Sequence, residues 1–243
     1  MLFEWTEEKL AWYVRASRVT GFHARLADMI RPRLRAQDTV CDFGCGPGLI
    51  DLALAGTVRE ITAIDVASIP IEFLRREASS AGAGNIRPLV ADAERMVAEG
   101  SPFPPFDVAL FCYFSGPGEL MKQVLRREGR LTVCVMHGMD VSKKPSKIGG
   151  SRHRAYAEEM EAFLEGEGLA YEKQELSLDF SQPLRSKEEA RAFFETYAKG
   201  DDERIEAQLA RVVETGGVAA GKAGGAEFPY TFPCEKDVAV FFI

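Results

Sequence analysis

A chain of 243 residues is long enough for one large domain with a full core or for two small ones, and one domain with appendages is the simpler expectation. Its 30 Lys and Arg against 37 Asp and Glu leave a formal charge of −7, which lacks the basic face that phosphate-backbone binding wants, so a nucleic-acid partner is disfavoured. No apolar run approaches the roughly 20 residues of a membrane helix, and Glu4, Glu7 and Glu8 stand where a secretory leader would be basic and then apolar. A cytoplasmic protein without a membrane partner, monomer or homodimer, is therefore expected.

Residues 6–30 have helical periodicity, with Leu10, Tyr13, Val14, Ser17, Gly21, Ala24 and either Ala27 or Asp28 along one side. Thr6 followed by Glu7 and Glu8 suits a helix start, and Gly21 is expected to split the segment in two. Trp5, Trp12, Tyr13 and Phe22 make it aromatic, and two readings stay open: packing on the main domain, or a lid over a ligand.

The run Val40 to Phe43 gives way to Gly44, Gly46 and Gly48 at alternate positions, then to Leu49, Ile50, Leu52, Ala53 and Leu54 at helical spacing. This reads as strand, tight turn, helix. Glycine there lets the main chain take positive φ and lets a ligand lie against the backbone, while the following helix start favours a carboxylate or other anion.

Residues 61–65 form a short strand ending in Asp65, 21 positions beyond Gly44, close to the separation at which nucleotide-binding α/β units place a carboxylate on ribose. A helix over 69–81, a turn at 82–85 and a strand over 86–91 lead to Asp92, which suits a ligand or a helix cap equally. A proline-rich turn at 101–105 precedes a fourth strand, 106–112, opening into Tyr113, Phe114 and Ser115; a helix over 119–127 and a fifth strand over 131–137, ending at His137, follow. Strands this apolar belong to a parallel sheet covered on both faces. Ligands in such sheets sit outside the strands' carboxyl ends, a rule that collects Asp42, Asp65, Asp92, Tyr113 and His137 at one edge.

Residues 142–154 are locally basic (Lys143, Lys144, Lys147, Arg152, Arg154) and read as a solvated loop or as a patch that draws an anionic acceptor, or RNA, to the strand ends. Beyond them come a helix over 155–166, a strand over 171–180 with Leu176, Leu178 and Phe180 on one face, a helix over 187–199 opened by the Ser186/Glu189 capping box, and a helix over 202–214. A glycine- and alanine-rich loop at 216–226 and a closing strand at 237–243 end the chain. The expected layout is one domain over 1–243: an N-terminal helical cap (1–35), a cofactor-binding core (36–138), and closing helices and strands (139–243). Five cysteines, Cys41, Cys45, Cys112, Cys134 and Cys234, are odd in number and mostly on strands, which favours reduced thiols. Cys41 and Cys45 lack a nearby third cysteine for an iron–sulfur loop, and no metal site is expected.

The run Asp42-Phe43-Gly44-Cys45-Gly46-Pro47-Gly48, with Asp65, Asp92 and the strand at 106–112, resembles the class I S-adenosylmethionine-dependent methyltransferases over residues 38–137. The resemblance implies a Rossmann-like α/β fold, a seven-stranded and mostly parallel sheet with helices on both faces and its last strand antiparallel, and S-adenosyl-L-methionine as cofactor. Asp42 and the main chain at Gly44, Cys45 and Gly46 would then hold the methionine part, Gly48 would permit close helix packing, and Asp65, with Val66 beside it, would take the ribose. Asp92 and the N–H of Ala93 would read the adenine edge, Phe111 would line the cofactor, and Tyr113 and Phe114 would face the acceptor. A dinucleotide fingerprint is excluded because, counted from Gly44 or Gly46, its third glycine falls on Leu49 or Asp51; a phosphate loop is excluded because Gly48-Leu49-Ile50 lacks its lysine.

A sulfonium methyl is already activated, so the protein has mainly to align donor and acceptor and exclude water. A hydroxyl or protonated amine acceptor would benefit from a base. His137 is the best placed of three histidines, ahead of His23 and His153, though a strand-end histidine is more often a structural hydrogen-bonder than a base. Motifs that mark amino-methylating and cytosine-methylating enzymes are absent after the fourth strand, which points to a small-molecule acceptor. A non-catalytic S-adenosylmethionine-binding regulatory protein and an RNA methyltransferase are the alternatives.

Overall fold

The computed structural model describes residues 3–100, 103, 105–114, 116–127, 129–138, 157–198, 201–215 and 227–243. The chain begins with helix α1 (Glu7–Thr20), whose N-cap Thr6 accepts the N–H of Lys9 at 3.2 Å. Gly21, at φ 69°, closes α1 and opens α2 (Phe22–Ile30). A left-handed residue breaks the helical phase. Leu10, Val14 and Ser17 are buried as the periodicity implied, but beyond Gly21 the buried face becomes Phe22, His23, Leu26, Ala27 and Ile30, so Ala24 and Asp28 point to solvent.

Strand β1 (Thr39–Phe43) runs into the glycine loop and α3 (Leu49–Leu54); β2 (Glu60–Asp65), α4 (Ser68–Ser80), β3 (Ile86–Val90) and α5 (Ala93–Ala98) follow. Then come β4 (Val108–Cys112), α6 (Glu119–Leu125), β5 (Leu131–His137), α7 (Ala157–Gly166) and β6 (Glu172–Asp179). Short β7 (Gln182–Leu184), α8 (Lys187–Ala198), α9 (Asp202–Leu209), β8 (Val213–Glu214), β9 (Tyr230–Phe232) and β10 (Glu235–Phe242) complete the order.

Seven strands make one sheet in the order β3-β2-β1-β4-β5-β10-β6, with β1 to β5 parallel and β10 antiparallel to both β5 and β6. Alternation along each strand divides the interior into two layers. Val40, Ile61, Leu110, Val133, Val135 and Val240 meet α2, α3 and α4, while Cys41, Ile64, Phe111, Cys134, Met136 and Phe241 meet α5, α6 and α7. β3 departs from the expected double cover: as the edge strand it leaves Leu89 and Val90 about two-fifths exposed, and it accommodates Pro88, which has no N–H to donate.

The last third departs further. The helix over 202–214 stops at Leu209, because Val213 and Glu214 pair instead with Thr231 and Tyr230 in a three-stranded sheet, β7-β9-β8, whose strands are too short to show periodicity in the sequence. That sheet, with α8 and α9, forms its own apolar cluster around Phe194 and Phe232, which Trp12 of α1 joins. Half of the capping box forms as read, Ser186 Oγ accepting from Glu189 N–H, while the Glu189 carboxylate reaches one residue further back and accepts from Arg185 N–H. The basic segment 142–154, with His153, and the loop at 216–226 lie outside the described residues.

Candidate cofactor and acceptor site

The glycine loop is built as the sequence implied. Gly44, Gly46 and Gly48 have φ of 72°, 53° and 61°, a region that side-chain-bearing residues enter only with strain. Each also has a neighbour where a side chain would start: a Cβ on Gly44 would lie 2.1 Å from the Phe114 ring, on Gly46 3.3 Å from Trp5, and on Gly48 2.5 Å from Leu74. Gly48 thus permits close helix packing, α3 against α4.

The loop's N–H groups differ from expectation. Gly44 and Cys45 both donate to Ile64 O, at 2.8 and 2.9 Å, and Gly46 donates to Asp65 Oδ2 at 2.9 Å. These donors are committed inside the protein, and the Phe114 and Trp5 rings cover the loop at Gly44 and Gly46. Asp65, which also accepts from Ala67 N–H at 2.8 Å, ties the loop to the end of β2; Val66 beside it is 44% exposed. Asp92 caps α5 by accepting from Arg95 N–H at 3.0 Å, the capping role, with Ala93 buried behind it.

Asp42 is fully buried on the α3 side of β1, and Asp51, in the first turn of α3, is fully buried facing it. Among the described residues no N–H or O–H donor reaches any of the four carboxyl oxygens. Two neighbouring buried carboxyls hold a proton between them more cheaply than they hold two negative charges. Burial raises both above the ordinary carboxylate range; at Asp42 the neighbouring charges of Asp51 and Asp65 add to it. Asp51 was not singled out from the sequence, although it stands three residues before Leu54 on the stripe that α3 buries.

The acceptor side gathers rings from distant parts of the chain. Tyr113 has φ 53°, the one positive φ among described non-glycine residues. Strict alternation would put its side chain with Phe111; the left-handed backbone turns it instead to the opposite layer, stacked on Phe22 at 6.3 Å and 4.7 Å from the His137 ring. Holding a non-glycine residue there costs about 1–3 kcal/mol, a strain that clusters at functional sites. The Tyr113 hydroxyl is buried with no hydrogen-bond partner among the described residues. The Lys236 ammonium lies 3.6 Å from the Phe180 ring centre and 5.2, 5.4 and 5.9 Å from those of Phe22, Tyr113 and Tyr13.

Next to this cluster His23 is buried between Ser17 Oγ, 2.6 Å from Nδ1, and the Tyr13 hydroxyl, 3.0 Å from Nε2. Burial, with the nearby Lys236 charge, pulls its pKa down to about 3, so the imidazole is neutral. Phe111, expected to line the cofactor, is 1% exposed in the other layer, stacked on Phe43 at 5.0 Å; its ring reaches the site through Phe114, 5.8 Å away. The sheet thus brings Asp42, Asp65, Tyr113, Phe114 and His137 to one edge and holds Phe111 beneath it. Phe22, Phe180 and Lys236 could not be placed there from the sequence, because α2, β6 and β10 reach that edge only through the strand order.

The seven-stranded order with an antiparallel β10, and a positive-φ glycine loop between strand-end acids, define a Rossmann-like methyltransferase fold. Residues 40–129 match the family described as methyltransferase domain. It is 29% identical over 153 residues to a ubiquinone biosynthesis O-methyltransferase of Caulobacter vibrioides, a match covering 54% of this chain and 59% of that relative's length. Among solved structures it resembles the YcgJ protein of Bacillus subtilis (20% identity, 93% of this chain and 97% of that one, TM-score 0.55) and BH2331 of Bacillus halodurans C-125 (15%, 90% and 96%, 0.54). One feature suits S-adenosylmethionine: the buried Asp42 carboxyl, reached by no donor among the described residues, could face a cationic group; the Phe114 and Trp5 rings lie where a ligand would meet Gly44 and Gly46. No helix among the described residues is long and apolar enough to cross a membrane.

Proposed function

We propose that the protein transfers the methyl group of S-adenosyl-L-methionine to a hydroxyl of a small, aromatic-compatible molecule. The observation that carries this is the Tyr113 position: a strained backbone turns a buried, unpartnered hydroxyl into a ring-lined cluster beside His137, at the strand edge that also carries Asp42 and Asp65. The O-methyltransferase relative supports oxygen as the accepting atom, and the Lys236 charge suits an acceptor that becomes anionic as it loses its proton. Bound cofactor supplies the activated methyl group. This chain's residues then have to hold it against the glycine loop through Asp42 and Asp65, exclude water with Tyr113, Phe22 and Phe180, and accept the acceptor's proton, for which His137 is our candidate.

The test is calorimetric titration with S-adenosylmethionine, S-adenosylhomocysteine and NAD, followed by a phenol and catechol panel assayed for S-adenosylhomocysteine release. Binding of the first two and not NAD, with release dependent on a phenol, is expected. His137→Ala should then slow release at least tenfold while sparing cofactor affinity; a full rate removes His137 from the mechanism. A second reading, a non-catalytic cofactor-binding protein, is favoured by one feature: the Phe114 and Trp5 rings lie directly on Gly44 and Gly46. Cofactor binding with no release across the panel would favour it.

A further inference from the structure

The Asp42–Asp51 pair has no role in holding the fold that its geometry explains. Two acids with all four oxygens sealed from water and reached by no N–H or O–H donor among the described residues form a costly arrangement, since a buried polar group normally finds a partner. β1 supplies Asp42 at its carboxyl end, one residue before the glycine loop, and α3 supplies Asp51 immediately after that loop, so the pair spans its base.

We propose that Asp51 is a positioning residue that holds a proton between itself and Asp42, and that the ammonium of the cofactor's methionine end takes the place of that proton on binding. This rests on the cofactor reading above. The exchange balances: a carboxylic acid hydrogen-bonded to a carboxylate, plus an alkylammonium, becomes two carboxylates facing the ammonium, plus one proton released to solvent. No covalent bond beyond the O–H is broken. The empty protein thereby avoids burying two negative charges, and the loaded one satisfies both with the ligand's cation.

The surroundings leave the pair as the group that titrates. Asp65 on β2 adds a negative charge that favours keeping the proton. Burial keeps the thiols of Cys41 and Cys45 on the β1 side, the Cys112 thiol of β4, and the phenols of Tyr13 on α1 and Tyr113 protonated well above their ordinary ranges. Of the cations, Lys236 on β10 acts on Cys112 and His23, Arg127 after α6 acts on Cys41, and His23 is already neutral.

The experiment is titration calorimetry of the full chain at pH 6.5 in phosphate and in imidazole, whose different ionisation enthalpies report protons released. S-adenosylhomocysteine and 5′-methylthioadenosine, which lacks the amino-acid end, are the two probes. About one proton released with the former and none with the latter is expected, with affinity for the former rising close to tenfold per pH unit between pH 5.5 and 7. Asp51→Asn, which retains shape and removes the shared proton, should bring the release near zero and flatten that slope. Homocysteine-probe binding without proton release, or equal release with both probes, overturns the inference and leaves the cofactor reading standing. Binding of neither probe overturns both. The two-probe comparison needs only the native protein, so it decides the matter even where Asp51→Asn does not fold.

Discussion

Replacing Gly48 by alanine isolates the steric role of the loop from any ligand. Two penalties add at this position: a left-handed backbone for a residue with a Cβ, about 1–2 kcal/mol, and a Cβ 2.5 Å from both Leu74 Cδ atoms and 2.9 Å from Cγ. Leu74 is fully buried, so it has no free space to retreat into, and overpacking of this kind costs about 1–3 kcal/mol. Gly48→Ala should therefore lose roughly 2–5 kcal/mol in urea unfolding, and about 4–20 °C in melting temperature at this chain length. Two companions calibrate the sum. Gly46→Ala shares the positive φ but meets only Trp5 at 3.3 Å, so it should show little beyond the backbone part. Gly56→Ala has neither a positive φ nor a neighbour within 4 Å and should be neutral or slightly stabilising. A Gly48→Ala loss under about 1 kcal/mol, or one no larger than that of Gly46→Ala, would refute the argument from Leu74 packing.

Asp65→Ala removes the acceptor for Gly46 and Ala67 N–H and the carboxylate proposed for the ribose; at about 1.5–3 kcal/mol for a charge-assisted hydrogen bond, S-adenosylhomocysteine affinity should fall at least tenfold, and unchanged affinity in calorimetry would count against the assignment. Of the two tryptophans, Trp5 lies on Gly46 while Trp12 is buried against Phe193, so ligand binding should change the emission of the native protein and of Trp12→Phe but not of Trp5→Phe. Stability should respond to pH in two opposed ways. The carboxyl pair binds more protons folded than unfolded, so its contribution is present below about pH 4 and is lost as pH rises towards about 7. His23 is held neutral when folded, so its contribution is present above about pH 6.5 and is lost as pH falls towards about 3. Unfolding of Asp51→Asn followed from pH 4 to 7 should show stability falling less with pH than in the native protein; an equal slope would mean that the pair holds no extra proton.

The glycine loop was legible because its whole logic is local. Three alternate glycines after an apolar run need positive φ whatever surrounds them, and that made the strand, turn and helix over 39–54 readable, together with Asp42 and Asp65 at consecutive strand ends. The Thr6 and Ser186 caps and the bounds of β5 were readable for the same reason, since caps and alternation act within a few residues. The phase of α2 was not, because a single left-handed glycine rotates every residue after it.

The sequence by itself determined the class of fold, the glycine loop, and the edge of the sheet at which it lies, because periodicity and glycine placement are set by neighbours along the chain. Only the tertiary structure decided what faces that loop. Asp51 meets Asp42 because α3 folds back on the even-numbered face of β1; Tyr113 joins Phe22, Phe180 and Lys236 because one backbone angle turns it there and because β10 inserts between β5 and β6. Those meetings join residues up to 123 positions apart, Tyr113 with Lys236. They depend on strand order and packing rather than on any pattern a short window can carry.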